Sequence, residues 1–245
     1  MKFKSLAFYL LLPLVLLFSN AVIAKSYRIL VFAKTSGFHH QSILVGLPAI
    51  QKLGAENNFA VDTTTNSGLF TLSNLRQYAA VVFLNTTGDV LNDTQQTAFE
   101  QYIKGGGGFV GIHAASDTEY GWPWYGQLVG AYFVSHPAQQ QATLHIIDRK
   151  SIATKHLPEN WTRKDEWYNF KDIQPDLHVL IKLDEQTYKG GINGADHPMA
   201  WYHNFDGGRS FYTGLGHVDA SYTDPLFLKH LLGGIQYAMG QKRIN

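Results

Sequence analysis

The chain contains no cysteine. That absence excludes disulfides, thiolate metal ligands and every mechanism that needs a thiol nucleophile. Excess charge of either sign is also missing. Lys and Arg total 20 against 19 Asp and Glu, a formal net charge of +1. Such a balance gives no electrostatic basis for nucleic-acid binding or for adhesion to an anionic membrane surface. Internal repeats, long linkers and low-complexity tracts are absent after residue 25. One long apolar run exists, Leu6 to Phe18, preceded by Lys2 and Lys4 and followed by Val22-Ile23-Ala24. It is shorter than the roughly 20 residues of a permanent span. Residues 1–24 therefore read as a secretory signal peptide, placing the mature chain in the periplasm or outside the cell without a permanent membrane anchor.

What remains, residues 25–245, suits a single domain. With 45% hydrophobic and 13% aromatic residues the chain has material for a sizeable core. Its first half alternates strand and helix signals. Short apolar runs at 27–33, 79–84 and 109–112 read as buried strands, and 59–64 reads as a further strand. Helical spacing occupies 41–53 and 94–104, the latter capped by Asn92 or Asp93, with a short helix at 72–77. This alternation predicts an α/β fold, a three-layer flavodoxin-like, mostly parallel sheet with helices on both faces. Ligands of such sheets gather at the carboxyl ends of the strands, which singles out residues 34–40, 85–91 and 113–121.

Beyond residue 132 the signals shorten. Strands are expected at 143–147, 167–170, 179–183, 198–204 and 209–213, with a hairpin turn at Asn204-Phe205-Asp206-Gly207-Gly208. They form an antiparallel extension of the same sheet. Asp224-Pro225 starts a last helix with an apolar face.

Gly106, Gly108 and Gly111 spell G-x-G-x-x-G, but the pattern follows a helix and opens a strand. A dinucleotide site has the reverse order, so the glycines read as a helix stop. The turn Gly111-Ile112-His113-Ala114-Ala115 is more informative. Small residues around a sharp strand-to-loop turn can display one side chain above a parallel sheet, here His113. Ser116 lies three positions later and is not at that elbow.

Five histidines sit beside expected loops: His39, His40, His113, His136 and His217. Imidazole exchanges protons near neutral pH and is a common transition-metal ligand. Asp117, Glu119, Asp165 and Glu166 could orient such rings or act as acid and base. Each histidine taken alone could equally be a hydrogen-bonded core or surface residue. Their spacing is no compact metal signature, so a divalent metal such as zinc stays an open expectation. Trp122, Trp124, Tyr125, Trp167, Tyr168, Trp201 and Tyr202 fall near the same loops. They could stack on sugar rings or pack the core, and the cluster from Gly121 to Tyr125 is expected to be exposed.

The segments His39-His40, Gly111 to Asp117, His136-Pro137, Asp165-Glu166-Trp167-Tyr168, His197 to Trp201 and Gly208 to His217 resemble, in order, those of ThuA-like (trehalose utilisation) proteins. The likeness runs over roughly residues 27–240. It implies a class I glutamine amidotransferase-like fold with a histidine where the cysteine usually stands, so the chain is not a glutaminase. It also implies glycoside, disaccharide or keto-sugar metabolism, with a small carbohydrate as substrate. On this reading His113 is the central acid/base or ligand, His40 and His217 flank it, and Glu166 and Asp117 orient or shuttle protons. His39, Trp122, Trp124, His136, Trp167, Tyr168 and Trp201 would contact the sugar. A non-catalytic sugar-binding module is the alternative.

Overall fold

The computed structural model describes Met1 and residues 27–245. The expected signal segment otherwise lies outside the described residues. Eleven strands are present there. In chain order they are β1 (Tyr27–Phe32), β2 (Phe59–Thr64), β3 (Ala80–Leu84), β4 (Gly108–Ile112), β5 (Tyr132–Ser135), β6 (Gln140–Ile146), β7 (Asn160–Asp165), β8 (Asn169–Lys171), β9 (His178–Leu183), β10 (Pro198–Phe205) and β11 (Gly208–Thr213). The helices are α1 (Ile43–Glu56), α2 (Leu72–Leu75), α3 (Asp93–Lys104), α4 (Pro123–Val129) and α5 (Pro225–Ala238).

Nine strands form one sheet in the order β2-β1-β3-β4-β11-β10-β9-β6-β7, and β5 pairs with β8 separately. The first five run parallel, in the flavodoxin-like order. The last four add an antiparallel extension. Apolar residues at every position of β3 and β4 bury both strands completely, because helices cover each face. Phe83 packs on Phe99 of α3 and Tyr125 of α4, whereas Phe211 lies under Gly234 of α5 on the other face.

Local chemistry sets the boundaries. Asn92 and Gln95 form a reciprocal capping box at the start of α3. Asp224 caps α5 by accepting from the Leu226 amide, with Pro225 in the first turn. Asp206 and Gly207 connect β10 to β11 with φ of 48° and 91°, a two-residue turn that matches strand twist.

Three elements lack clear sequence signals. In β7 the inward side is Trp161, Arg163 and Asp165, so a buried ion pair of 3.3 Å replaces apolar alternation. Helix α4 opens directly after Trp122 with Pro123 in its first turn. Strand β5 alternates little and pairs only with the three-residue β8. Strand β8 also begins later than expected, leaving Trp167 and Tyr168 in the irregular stretch before it.

The G-x-G-x-x-G glycines end α3 and enter β4: Gly106 turns the chain at φ 92°, whereas Gly108 and Gly111 are set by packing. A Cβ on Gly108 would stand 2.1 Å from the Ala238 carbonyl oxygen at the end of α5. Arg209 braces the same corner, donating to the carbonyls of Ala238 (2.9 Å) and Gly106 (2.8 Å). Gly108→Ala must therefore displace backbone and should cost roughly 1–3 kcal/mol. Gly121→Ala, with open space around the new methyl, should be near neutral. Urea denaturation of both variants checks this; equal stability would contradict the packing account.

Candidate active site at the carboxyl ends of the parallel strands

Registers align Leu84 with Ile112 and Ile112 with Thr213, so β3, β4 and β11 end level with one another. The loops that follow carry the site. Bridges Thr35–Thr87 and Gly88–Thr118 tie three of these loops together.

At the end of β4 the backbone turns sharply, and His113 adopts φ 48°. A left-handed non-glycine residue costs on the order of 1–3 kcal/mol and needs support. Its carbonyl accepts from the Tyr212 hydroxyl at 2.7 Å and the Ser116 hydroxyl at 3.3 Å. The His113 ring lies 4.1 Å from the Tyr168 ring, centroid to centroid. Its Nδ1 is 2.8 Å from the Gly214 carbonyl oxygen. A carbonyl only accepts, so Nδ1 carries the proton and neutral His113 presents a lone pair at Nε2.

Beyond β11, Gly216 bends the chain at φ 108°, a conformation suited to glycine. His217 follows, with Nδ1 at 3.1 Å from His113 Nε2. Beyond β7, buried Asp165 meets Arg163 at 3.3 Å and accepts from the Gly216 amide at 3.3 Å. That carboxylate holds the His217 loop against the residue after it, Glu166. Glu166 Oε2 lies 3.1 Å from His217 Nδ1 and 3.4 Å from His113 Nε2, and Oε1 lies 3.2 Å from His136 Nδ1. Beyond β1, His40 is 3% exposed. Its ring meets those of His113 and His217 edge-on, at centroid distances of 5.0 and 5.1 Å.

One ligand atom each from His40, His113, Glu166 and His217 falls within a 4.8 Å cluster. Above it opens a cleft of about 430 Å³ lined by Phe38, His40, Asp117, Phe133, His136, Gln139, Glu166, Tyr168 and His217. Burial would raise the Glu166 carboxyl, but the neighbouring His113 and His217 rings outweigh it and hold the group well below the usual carboxylate range. Burial, reinforced by the two neighbouring imidazoles, lowers His40 to about 3, so it is neutral at physiological pH. Asp117 moves the other way. Burial raises it, only partly offset by the 2.7 Å hydrogen bond from Tyr120.

Of the residues singled out in the sequence, the fold gathers His40, His113, His217, Glu166, Asp117, His136 and Tyr168. His113 is fully buried and lies beneath the cleft lining. The others are not brought there. His39 stays exposed beside Thr35, its Nδ1 3.2 Å from that hydroxyl, as adjacent histidines diverge. Of the Gly121–Tyr125 cluster expected to be exposed, Gly121 and Pro123 are, Trp124 is half-buried, Tyr125 is wholly buried, and Trp122 is buried against Trp124 and donates to Glu100. Trp124 reaches Asp206, in the turn before β11 at the opposite end of the parallel strands. Trp167 and Trp201 are fully buried, and their indole N–H groups satisfy the Gln140 and Val129 carbonyls. None of the four tryptophans lines the cleft. Phe38, Phe133 and Gln139 do, and sequence reasoning missed them. Phe38 falls in the 34–40 loop expected at the strand ends and Gln139 lies beside His136-Pro137, whereas Phe133 carries no such signal. A second cavity, of about 500 Å³, lies on the antiparallel extension. Its His145 is committed to Asn160 and Asp184.

Comparison with known proteins agrees with this architecture. The family described as ThuA, trehalose utilisation, matches residues 28–238. No curated protein matches the chain. A ThuA-like protein from Bacteroides uniformis superposes with a TM-score of 0.77 at 24% identity, covering 91% of this chain and 96% of that one. One from Parabacteroides merdae gives 0.73 at 22% identity, covering 89% and 91%. A β-galactosidase from Bacillus circulans shares the fold at 0.57 and 12% identity, over 87% of this chain but 31% of its own. These identities speak for fold alone. The family match spans nearly all of the described residues, and the chain belongs to the ThuA (trehalose utilisation) family.

Proposed function

We propose that this chain is an exported carbohydrate-processing enzyme, acting in the periplasm or outside the cell on glycosides, disaccharides or their keto derivatives. The observation that carries the reading is the cleft itself, which joins titratable groups of opposite tendency to apolar ring faces. Phe38 and Phe133 offer surfaces for the apolar faces of a sugar ring, while Asp117, His136 and Gln139 offer partners for hydroxyls. The family's description, trehalose utilisation, agrees in substrate class.

Two carboxyls in one cleft whose environments push their pKa values apart are the signature of an acid and a base. Asp117, raised by burial, is the group we assign to give a proton to a substrate oxygen. Glu166, held ionised, accepts or orients protons through His136 and His217. His113 has no surface in the cleft, so it acts on substrate through Glu166 and His217. It is a positioning residue here, a narrower role than the elbow suggests.

Purified mature protein assayed against native and 3-oxidised glycosides tests the reading. Product is expected, and Asp117→Asn should lower kcat by roughly 10²–10⁴-fold. Saturable sugar binding without product would instead identify a binding module and sink the enzyme reading.

The pH profile gives an independent check. A general acid works below its pKa, so wild-type kcat should fall as Asp117 deprotonates, in a limb displaced upward from the ordinary carboxylate range. In Asp117→Asn that limb should vanish. A limb unchanged by the substitution would assign the titration to another group.

A further inference from the structure

We propose that His40, His113, His217 and Glu166 bind one divalent transition-metal ion of the zinc type. This deepens the carbohydrate reading by naming a cofactor for the same site, although the binding argument itself does not need a sugar.

The donor set comes first. Three imidazole nitrogens and one carboxylate oxygen within 4.8 Å suit zinc and its transition-metal neighbours, whereas calcium and magnesium prefer all-oxygen shells. Distances agree. Bonds of about 2.0–2.1 Å place neighbouring ligand atoms roughly 3.0–3.4 Å apart in octahedral or tetrahedral geometry. The three separations among His113 Nε2, His217 Nδ1 and Glu166 Oε2 are 3.1, 3.1 and 3.4 Å.

Proton accounting points the same way. With Nδ1–H given to Gly214, neutral His113 aims its Nε2 lone pair at a carboxylate oxygen and at another imidazole nitrogen. With its Nε2 facing the Gln139 amide, His217 places Nδ1–H between them, the position a cation would take. His40, buried, adds another imidazole edge-on to both rings, and its Nδ1 has no hydrogen-bond partner among the described residues. One ion held by all four groups would give that ring a partner too.

The outer partners are also in place. Metal-bound histidines commonly give their second ring N–H to a carbonyl, amide or carboxylate. His113 gives its own to Gly214, and His217 Nε2 faces the Gln139 amide at 2.7 Å. Ligation through His217 Nδ1 moves its proton to Nε2, and a half-turn of the Gln139 amide then presents the oxygen to it. Glu166 Oε1 is held by His136, leaving Oε2 for the ion. When bound, the ion would supply Lewis-acid polarisation of a substrate oxygen or an acidified water. Gly214, Gln139 and His136 orient the ligands, and Asp117, outside the cluster and held by Tyr120, lines the same cleft.

The test uses the full mature chain, stripped with a chelator and dialysed against zinc or cobalt(II). The expected result is about one ion per chain, with a cobalt(II) visible spectrum that zinc abolishes. His113→Ala, His217→Ala and the near-isosteric Glu166→Gln should each weaken binding roughly 100-fold or more, and Gln139→Leu by about 10-fold. His39→Ala, outside the cluster, should bind as wild type. Circular dichroism identifies variants that fail to fold, and Glu166→Gln and Gln139→Leu keep the test decisive if an alanine variant is lost. Folded wild-type protein that takes up neither ion, or Glu166→Gln binding as tightly as wild type, overturns the proposal. Metal bound without glycoside turnover supports this site and defeats the sugar reading. Turnover by folded protein that takes up neither ion does the opposite.

Discussion

The site depends on one clasp between neighbouring strands. His113 stands in a left-handed turn at the end of β4 and donates Nδ1–H to the Gly214 carbonyl just past β11. That hydrogen bond fixes the ring's tautomer and aims Nε2 at Glu166 and His217. It also joins the two chain segments that supply the cluster's most closely approaching histidines. The backbone strain at His113 is offset by hydroxyl donors from Tyr212 and Ser116, themselves 2.9 Å apart.

Charge organisation follows from the same geometry. Burial first, and then repulsion from the neighbouring imidazoles, keeps His40 far below its ordinary range. Glu166 compensates by remaining ionised among His113, His136 and His217. One residue earlier, Asp165 is neutralised by Arg163 and fastens the loop through Gly216, so adjacent carboxylates divide the work. One is structural, and the other faces the cleft.

Much of the fold is legible in the sequence because its signals are local. The buried runs of β1, β3 and β4, the Asn92 cap, the Asp224-Pro225 start and the Asp206-Gly207 turn each depend on a few neighbouring residues. Strand β7 is not legible, since its inward face carries Arg163 and Asp165, whose pairing exists only in three dimensions. Within the site, the histidines stand out because a parallel sheet brings strand ends together whatever their separation along the chain. The tryptophans mislead for the converse reason. Near loops in sequence, they are turned inward by carbonyl partners such as Gln140 and Val129, contributed by distant segments. Gln139 carries no signal of its own beyond its place after His136-Pro137.

Convergence of these side chains on one point is the central claim, and a crystal structure of the mature chain grown with zinc and a glycoside examines it most directly. The account requires an anomalous peak bonded to His40, His113 Nε2, His217 Nδ1 and Glu166 Oε2, with the sugar seated against Phe38 and Phe133. Imidazoles turned away from one another, or zinc bound only elsewhere on the surface, would contradict it.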